Sequence, residues 1–304
     1  MSPSPVGLLL LDKPVGLSSN AALQRVRRLA GGIRAGHCGS LDPLASGMLP
    51  ICLGEATRLA GELLAGRKAY RFGVQLGERS ATGDAEGEIV ERCAVPPLSA
   101  PTITGVLARF VGPQLQTPPM YSALKRQGTP LYRLARAGVS VEREPRAITI
   151  DALELLGIEH GRVELRVLCS KGTYVRVLAE DIARSLGSCG RLYCLRREYV
   201  EPFRDEPMVS LEQLECVAAG VQEWPLLQAD RAVSHLPPLH LEADGAQALS
   251  QGRVVAVPHA AASRWRLYDA QGRFLGLGIS DADGQLRVQR LFSAPLAVLT
   301  PCSA

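Results

Sequence analysis

Residues able to do chemistry are sparse in this chain, and the first group lies in GHCGSLDPLASGMLP, residues 36–50. It holds one carboxylate, Asp42, among glycines, prolines and small side chains, with His37 five positions before it. A single ionised carboxylate can serve as a nucleophile or as a base. Hydrolytic glycosidases, by contrast, use a pair of acids. A glycine-bracketed loop lets such a group approach a substrate closely. An Asp before Pro is equally a turn former or helix cap, and a loop histidine is equally one bonded to backbone. Tyr70 on an alternating strand reads as core, and Arg176 on a helix as surface, unless something else brings them to a site.

Several frameworks are missing. There is no GxxxxGKS or GxxxxGKT loop, no HExxH and no deaminase PCxxC, and GLG at 276–278 is too short to imply a dinucleotide site. The chemistry is therefore expected to use side chains alone, with no metal and no cofactor.

The elements that must carry these residues follow from apolar periodicity. Gly7 to Leu11 reads as a buried strand ending in the turn Asp12-Lys13-Pro14-Val15-Gly16. Ser18 or Ser19 can cap a helix with Ala22, Leu23, Val26, Leu29 and Ala30 on one face, closed by Gly31-Gly32, and with Arg25, Arg27 and Arg28 on the other. The Asp42 loop follows, then a strand from Met48 to Leu53 and a helix from Thr57 to Leu64. Tyr70, Phe72, Val74 and Leu76 alternate with polar or small residues, the period of a half-buried strand. GERSATGDAEGEIVER reads as a solvated loop and return strand, and residues 102–110 as a helix. Two strands meet at His160-Gly161; a helix with Val175, Leu178, Ala179, Ile182, Ala183 and Leu186 on its apolar stripe comes next, and RLYCLRREYV is a further strand. After Pro237-Pro238 short strands and Gly-containing turns suggest a compact β-rich unit. The expected class is α+β, a mixed sheet flanked by helices, with one domain over 1–236 and a small one over 237–304.

A chain of 304 residues, 46% hydrophobic and 21% charged, is long enough to bury a core and reads as globular. The net charge of +4 is modest, but residues 121–146 hold six cations (Lys125, Arg126, Arg133, Arg136, Arg143, Arg146) against two anions (Glu142, Glu144). With Pro118, Pro119, Gly128 and Pro130 breaking it up, about 118–146 reads as a projecting basic insertion suited to a phosphate backbone. The N-terminal apolar run is short and interrupted by Asp12-Lys13, and no stretch reaches the ~18 apolar residues of a membrane span, so a cytoplasmic protein is expected. Eight cysteines without a CxxC pair suggest reduced thiols rather than a disulfide framework or zinc site.

Taken together, the blocks GLLLLDKPVGLSSNAALQRVRRL, AGHCGSLDPLASGMLPICLGEATRL, RKAYRF, TPPMYSALKRQGTPLYRLARAGVSVEREPR, CSKGTYVRVLAEDIA and YCLRRE resemble the TruB family of tRNA pseudouridine-55 synthases, in order and in spacing, over residues 7–200. The resemblance implies a pseudouridine-synthase sheet with a PUA-like C-terminal barrel. It implies that Asp42 is the catalytic carboxylate, that Arg176 pairs with it and holds it ionised, and that Tyr70 stacks on the target base and takes part in proton movement. It further implies that Tyr174 and Leu195 line the uridine pocket and that His37 contacts the displaced nucleotide. Lys13, Lys125, Arg126, Arg133, Arg136 and Arg146 are candidate tRNA contacts. Cys38 and Ser40 depart from the Thr and Ala usual in the family, at positions not expected to touch the chemistry. The implied partner is tRNA, through its T-arm and T-loop, with no protein partner and a monomeric chain. The C-terminal unit, with six arginines (253, 264, 266, 273, 287, 290) against five acids (242, 244, 269, 281, 283), is expected to add little affinity. An RNA-binding folding factor that needs no catalysis is the alternative. A guide-RNA-dependent relative is a third reading, against which stands the absence of long lysine-rich extensions.

Overall fold

The computed structural model describes residues 6–220, 223–257 and 263–296. Its larger sheet has eight strands: β1 (Gly7–Lys13), β2 (Ala35–His37), β3 (Ser46–Leu53), β4 (Lys68–Leu76), β7 (Gly112–Gln116), β10 (Arg146–Glu159), β11 (Arg162–Cys169) and β12 (Gly190–Val200). Their order is β1-β3-β12-β4-β11-β10-β7, with β2 alongside β3. All pairs are antiparallel except β12 with β3, so the sheet is mixed. A hairpin of β5 (Glu78–Ser80) and β6 (Ile89–Arg92) leaves β4, and the two-residue strands β8 (Lys125–Arg126) and β9 (Thr129–Pro130) lie in the insertion.

Both faces of this sheet are covered, which explains the unbroken apolar run of β1. Leu9 and Leu11 pack with Ala22, Leu23 and Val26 of helix α1 (Ser19–Leu29), whereas Leu8 and Leu10 face the other side, toward Leu59, Leu63 (in helix α2, Ala60–Ala65) and Phe203. Ser18 caps α1 by accepting from Ala21 N. Beyond it come α3 (Ala100–Leu107) and α4 (Leu131–Arg136) in the insertion; α5 (Val175–Ser185) lays Leu178, Ala179, Ile182 and Ala183 on Phe72, Val74, Leu165 and Leu192. Helix α6 (Leu211–Ala218) packs beside α1.

The C-terminal unit contains β13 (Pro238–His240), α7 (Ala243–Ser250), β14 (Val255–Ala256), β15 (Ser263–Tyr268), β16 (Phe274–Ser280) and β17 (Gln285–Leu296), with sheet order β13-β15-β16-β17-β14. Phe274, Leu277 and Phe292 join the same apolar cluster as Leu8, Leu59 and Val233. Arg264 pairs with Glu62 at 2.6 Å, and Arg58 donates to Leu291 O at 2.6 Å. The unit is docked on the main sheet through shared core.

Some expectations need correction. The first strand runs on through Lys13, because Asp12 and Lys13 still pair with Met48 and Gly47. The helix expected over 57–64 is a 3-10 turn, Gly54–Leu59, followed by a short α-helix. Helices α6 and α7 fall where no helix is expected from periodicity. A disulfide joins Cys93 and Cys189, Cα–Cα 5.7 Å, against the expectation of reduced thiols. These residues are 96 apart in sequence and meet because Cys93 N donates to Gly77 O while Gly77 N donates to Cys189 O. No spacing motif could signal that pairing. Cys38, Cys52, Cys169, Cys194 and Cys216 are free, and Cys302 lies outside the described residues.

Candidate active site

The Asp42 loop joins β2 to β3 and is held from three directions. Ser19, at the start of α1, donates to Leu41 O (3.0 Å) and accepts from Leu41 N (2.7 Å), while Gly16 N donates to Pro43 O (2.8 Å). From β12, the buried Arg197 donates through Nη2 to Gly39 O (3.0 Å) and through Nε to Met48 O (2.6 Å). Gly47 takes φ +98°, and a Cβ there would lie 2.1 Å from Arg197 O, so only glycine fits that crossing.

Asp42 opens into a cleft of about 640 Å³ whose walls include Lys68, Tyr70, Tyr174, Arg176, Leu195 and Arg197, with Ser122 to Leu124 of the insertion along one edge. Arg176, in the first turn of α5, is buried, and its Nε sits 2.9 Å from Asp42 Oδ2. Its other nitrogens donate to Thr82 O (2.8 Å) and Tyr121 O (2.6 Å), and Asp84 lies 3.7 Å away. Asp84 is itself buried, accepting from Thr82 Oγ1 (2.5 Å) and Glu86 N (3.1 Å). Gln116 braces the backbone of Tyr174 from both sides, donating to its carbonyl and accepting from its N–H.

The expected pairing of Asp42 with Arg176 is present, and it acts against a second influence on the carboxylate. Burial pushes the Asp42 pKa up from that of a free aspartate, and the nearby Asp84 adds to this; the Arg176 and Lys13 charges pull it down. Tyr70 is also pushed up by burial and partly pulled back by the Arg197 charge. Lys68, which donates to Leu64 O and Gly66 O, is lowered to about 8 by burial and by Arg197.

The cleft brings together Asp42, Tyr70, Tyr174, Arg176 and Leu195. His37 lies outside its lining, half-buried on β2, with Nδ1 buried and without a hydrogen-bond partner among the described residues. Burial and the Arg197 charge lower its pKa. Lys13 is a correction: it is fully buried and donates to Pro14 O (2.7 Å) and Leu17 O (2.6 Å), with its pKa lowered to about 8, so it does not reach a phosphate. Lys125, Arg126, Arg133, Arg136 and Arg146 are exposed on the insertion. Lys68 and Arg197 were findable by strand alternation, two positions from Tyr70 and Leu195 and hence on the same faces. Nothing in the single Asp84 of GDAEG marks it out.

The arrangement can present one ionisable carboxylate, steadied by a buried cation, to a substrate held between an aromatic and an aliphatic wall. Solved structures share the fold that presents it. A Cbf5-Nop10-Gar1 complex superposes with TM-score 0.71 over 94% of this chain and 84% of that one, at 23% identity. An H/ACA RNP bound to a substrate RNA containing 2′-deoxyuridine gives TM-score 0.73 over 95% and 86%, also at 23% identity. Both likenesses are of fold. In sequence, residues 27–175 match the TruB family pseudouridylate synthase N-terminal domain, and residues 237–292 match the TruB pseudouridine synthase II C-terminal domain. The tRNA pseudouridine synthase B of Aromatoleum aromaticum is 50% identical over 287 residues, 94% of this chain and 92% of the relative. That of Nitrosococcus oceani is 47% identical over 289 residues, 94% of each. The chain belongs to the TruB family of pseudouridylate synthases.

Proposed function

We propose that this protein isomerises uridine 55 in the T-loop of tRNA to pseudouridine, with Asp42 as the catalytic carboxylate. The observation that carries the reading is the single carboxylate held 2.9 Å from a buried arginine in a cleft walled by Tyr70 and Leu195. Isomerisation breaks the bond from ribose to the base nitrogen and remakes it at carbon-5, so no atoms are gained or lost and no cofactor is required. Asp42 acts at the sugar or the ring; Tyr70 and Leu195 keep the freed uracil from escaping and exclude water, and Tyr70 is the candidate for moving the carbon-5 proton. The base is flipped out of the T-loop at a cost of a few kcal/mol. Exposed cations of the insertion and of α1 offset it by gripping the folded arm through its phosphates. His37 contacts the displaced nucleotide. We place the catalytic domain at 1–236 and the RNA-binding domain at 237–304, in a cytoplasmic monomer.

The test is release of tritium from carbon-5-labelled uridine in a bare, unmodified tRNA transcript, comparing wild type with Asp42→Asn. Loss of label with the wild type and retention with the variant supports the assignment. Retention with both, while tRNA binding persists, favours the folding-factor reading, which the exposed basic insertion also suits. Activity that needs an added guide RNA would overturn the stand-alone reading.

A further inference from the structure

Arg197 is 1% exposed, yet its charge has no carboxylate partner among the described residues. Its neighbour Arg196 turns the other way and pairs with Asp12 at 2.8 Å, but among the described residues no carboxylate lies within 4.0 Å of the Arg197 guanidinium. A buried cation without a counterion is costly, and a hydrophobic side chain would serve packing better. Its hydrogen bonds indicate what it is kept for. Nε and Nη2 grip the carbonyls of Met48 and Gly39, which lie on either side of Asp42 in the chain. In strand register Arg197 stands opposite Gly47 on β3 and opposite Tyr70 on β4. The absent side chain at Gly47 is what lets β3 come this close.

We propose that Arg197 is a positioning residue of the reaction: one guanidinium ties both ends of the Asp42 loop to the strand facing Tyr70, fixing the span between the carboxylate and the wall on which the base stacks. The proposal rests on the isomerase reading above. A planar fork can hold two carbonyls at once, Met48 O on β3 and Gly39 O in the Asp42 loop, whereas a lysine ammonium is a single centre on a flexible stem. Displacement of a catalytic group by about 1 Å can lower a rate about 100-fold.

The experiment compares the wild type with Arg197→Met, which keeps most of the volume, and Arg197→Lys, which keeps the charge. Arg197→Met should lower kcat on tRNA about 100-fold while KM and tRNA affinity stay within about threefold, because the side chain is almost wholly buried in the cleft wall and away from the exposed cations. Arg197→Lys should recover about a tenth of the wild-type rate. A second readout is independent of turnover: the ultraviolet titration of Tyr70, isolated by difference against Tyr70→Phe. The groups that face this phenol are the Arg197 guanidinium, the Cys169 thiol and the Asp42 carboxyl. Only the first changes, so the phenol should ionise at higher pH in Arg197→Met.

A folded Arg197→Met variant with kcat within threefold of wild type overturns the proposal. So does a parallel loss of kcat and tRNA binding with the Tyr70 titration unmoved, which marks a merely structural role. If Arg197→Met does not fold, Arg197→Lys decides: full activity overturns the tie, and a selective fall in kcat supports it. An inactive wild type would sink the isomerase reading instead, and the Tyr70 titration would then decide whether the tie exists.

Discussion

Two opposing fields act on the Asp42 carboxylate. Burial and the nearby Asp84 favour its neutral form, while Arg176 and Lys13 favour the ion, and the balance raises its pKa from that of a free aspartate. In the proposed reaction the ion is the form that acts. Acidification should therefore remove activity at a higher pH than a free aspartate would dictate, and the acid limb of the kcat/KM profile should lie above that of a free aspartate. Replacing Arg176 with glutamine removes the downward pull and should carry that limb further toward neutrality. The same balance makes a stability statement. A group whose folded pKa is raised binds its proton more tightly when folded, so the ionised carboxylate weakens the fold at neutral pH. Asp42→Asn should accordingly lower isomerisation about 10⁴-fold or more while leaving the melting temperature equal to or above that of the wild type. A lowered melting temperature would mean that the ion pair to Arg176 outweighs burial.

At the scale of elements, the site depends on how closely three strands cross behind the loop. Gly47→Ala places a methyl group 2.1 Å from a backbone oxygen at φ +98°, so neither the side chain nor the strand can yield cheaply. The change should cost about 2–3 kcal/mol in urea denaturation and lower activity along with it. Ser19→Ala tests the other anchor. It strips two hydrogen bonds from Leu41 at a buried position and should cost about 1–3 kcal/mol. Because Ser19 touches the loop and not the cleft, its effect should fall on kcat more than on tRNA affinity. Much of this architecture could be read in advance. The strands containing Leu8 to Leu11 and Tyr70 to Leu76, and the stripe of α5, announce themselves through apolar periods that burial enforces. Long-range features do not. Lys13 looks like a surface lysine in a turn, and only the pairing of β1 with β3 reveals that it is buried. Asp84 meets Arg176 because a hairpin tip folds back against β12, where Leu192 N donates to Gly83 O. The pairing of Cys93 with Cys189 depends on the same tertiary return.

Across the whole molecule, that disulfide closes a loop, with its ends 96 positions apart, that contains α3, the basic insertion, β10, β11 and α5. Constraining so long a segment of the unfolded chain stabilises a protein by about 2–4 kcal/mol, so reduction should lower the urea midpoint by a corresponding amount. Protein that shows no such shift, with both cysteines open to alkylation, would place the chain in its reduced form. Charge works at this scale too. Lys125, Arg126, Arg133, Arg136 and Arg146 are all exposed on one insertion, beside a cleft edge formed by Ser122 to Leu124. The C-terminal unit, by contrast, is near neutral, with six arginines against five acids. If the insertion supplies phosphate contacts, each cation removed should reduce the slope of log K against log salt by about 1 and weaken all tRNAs alike. Arg133→Gln with Arg136→Gln should therefore flatten the slope by about 2 while kcat at saturating tRNA stays near wild type. An unchanged slope would move the phosphate grip to the arginines of α1, whose removal should then produce the same flattening.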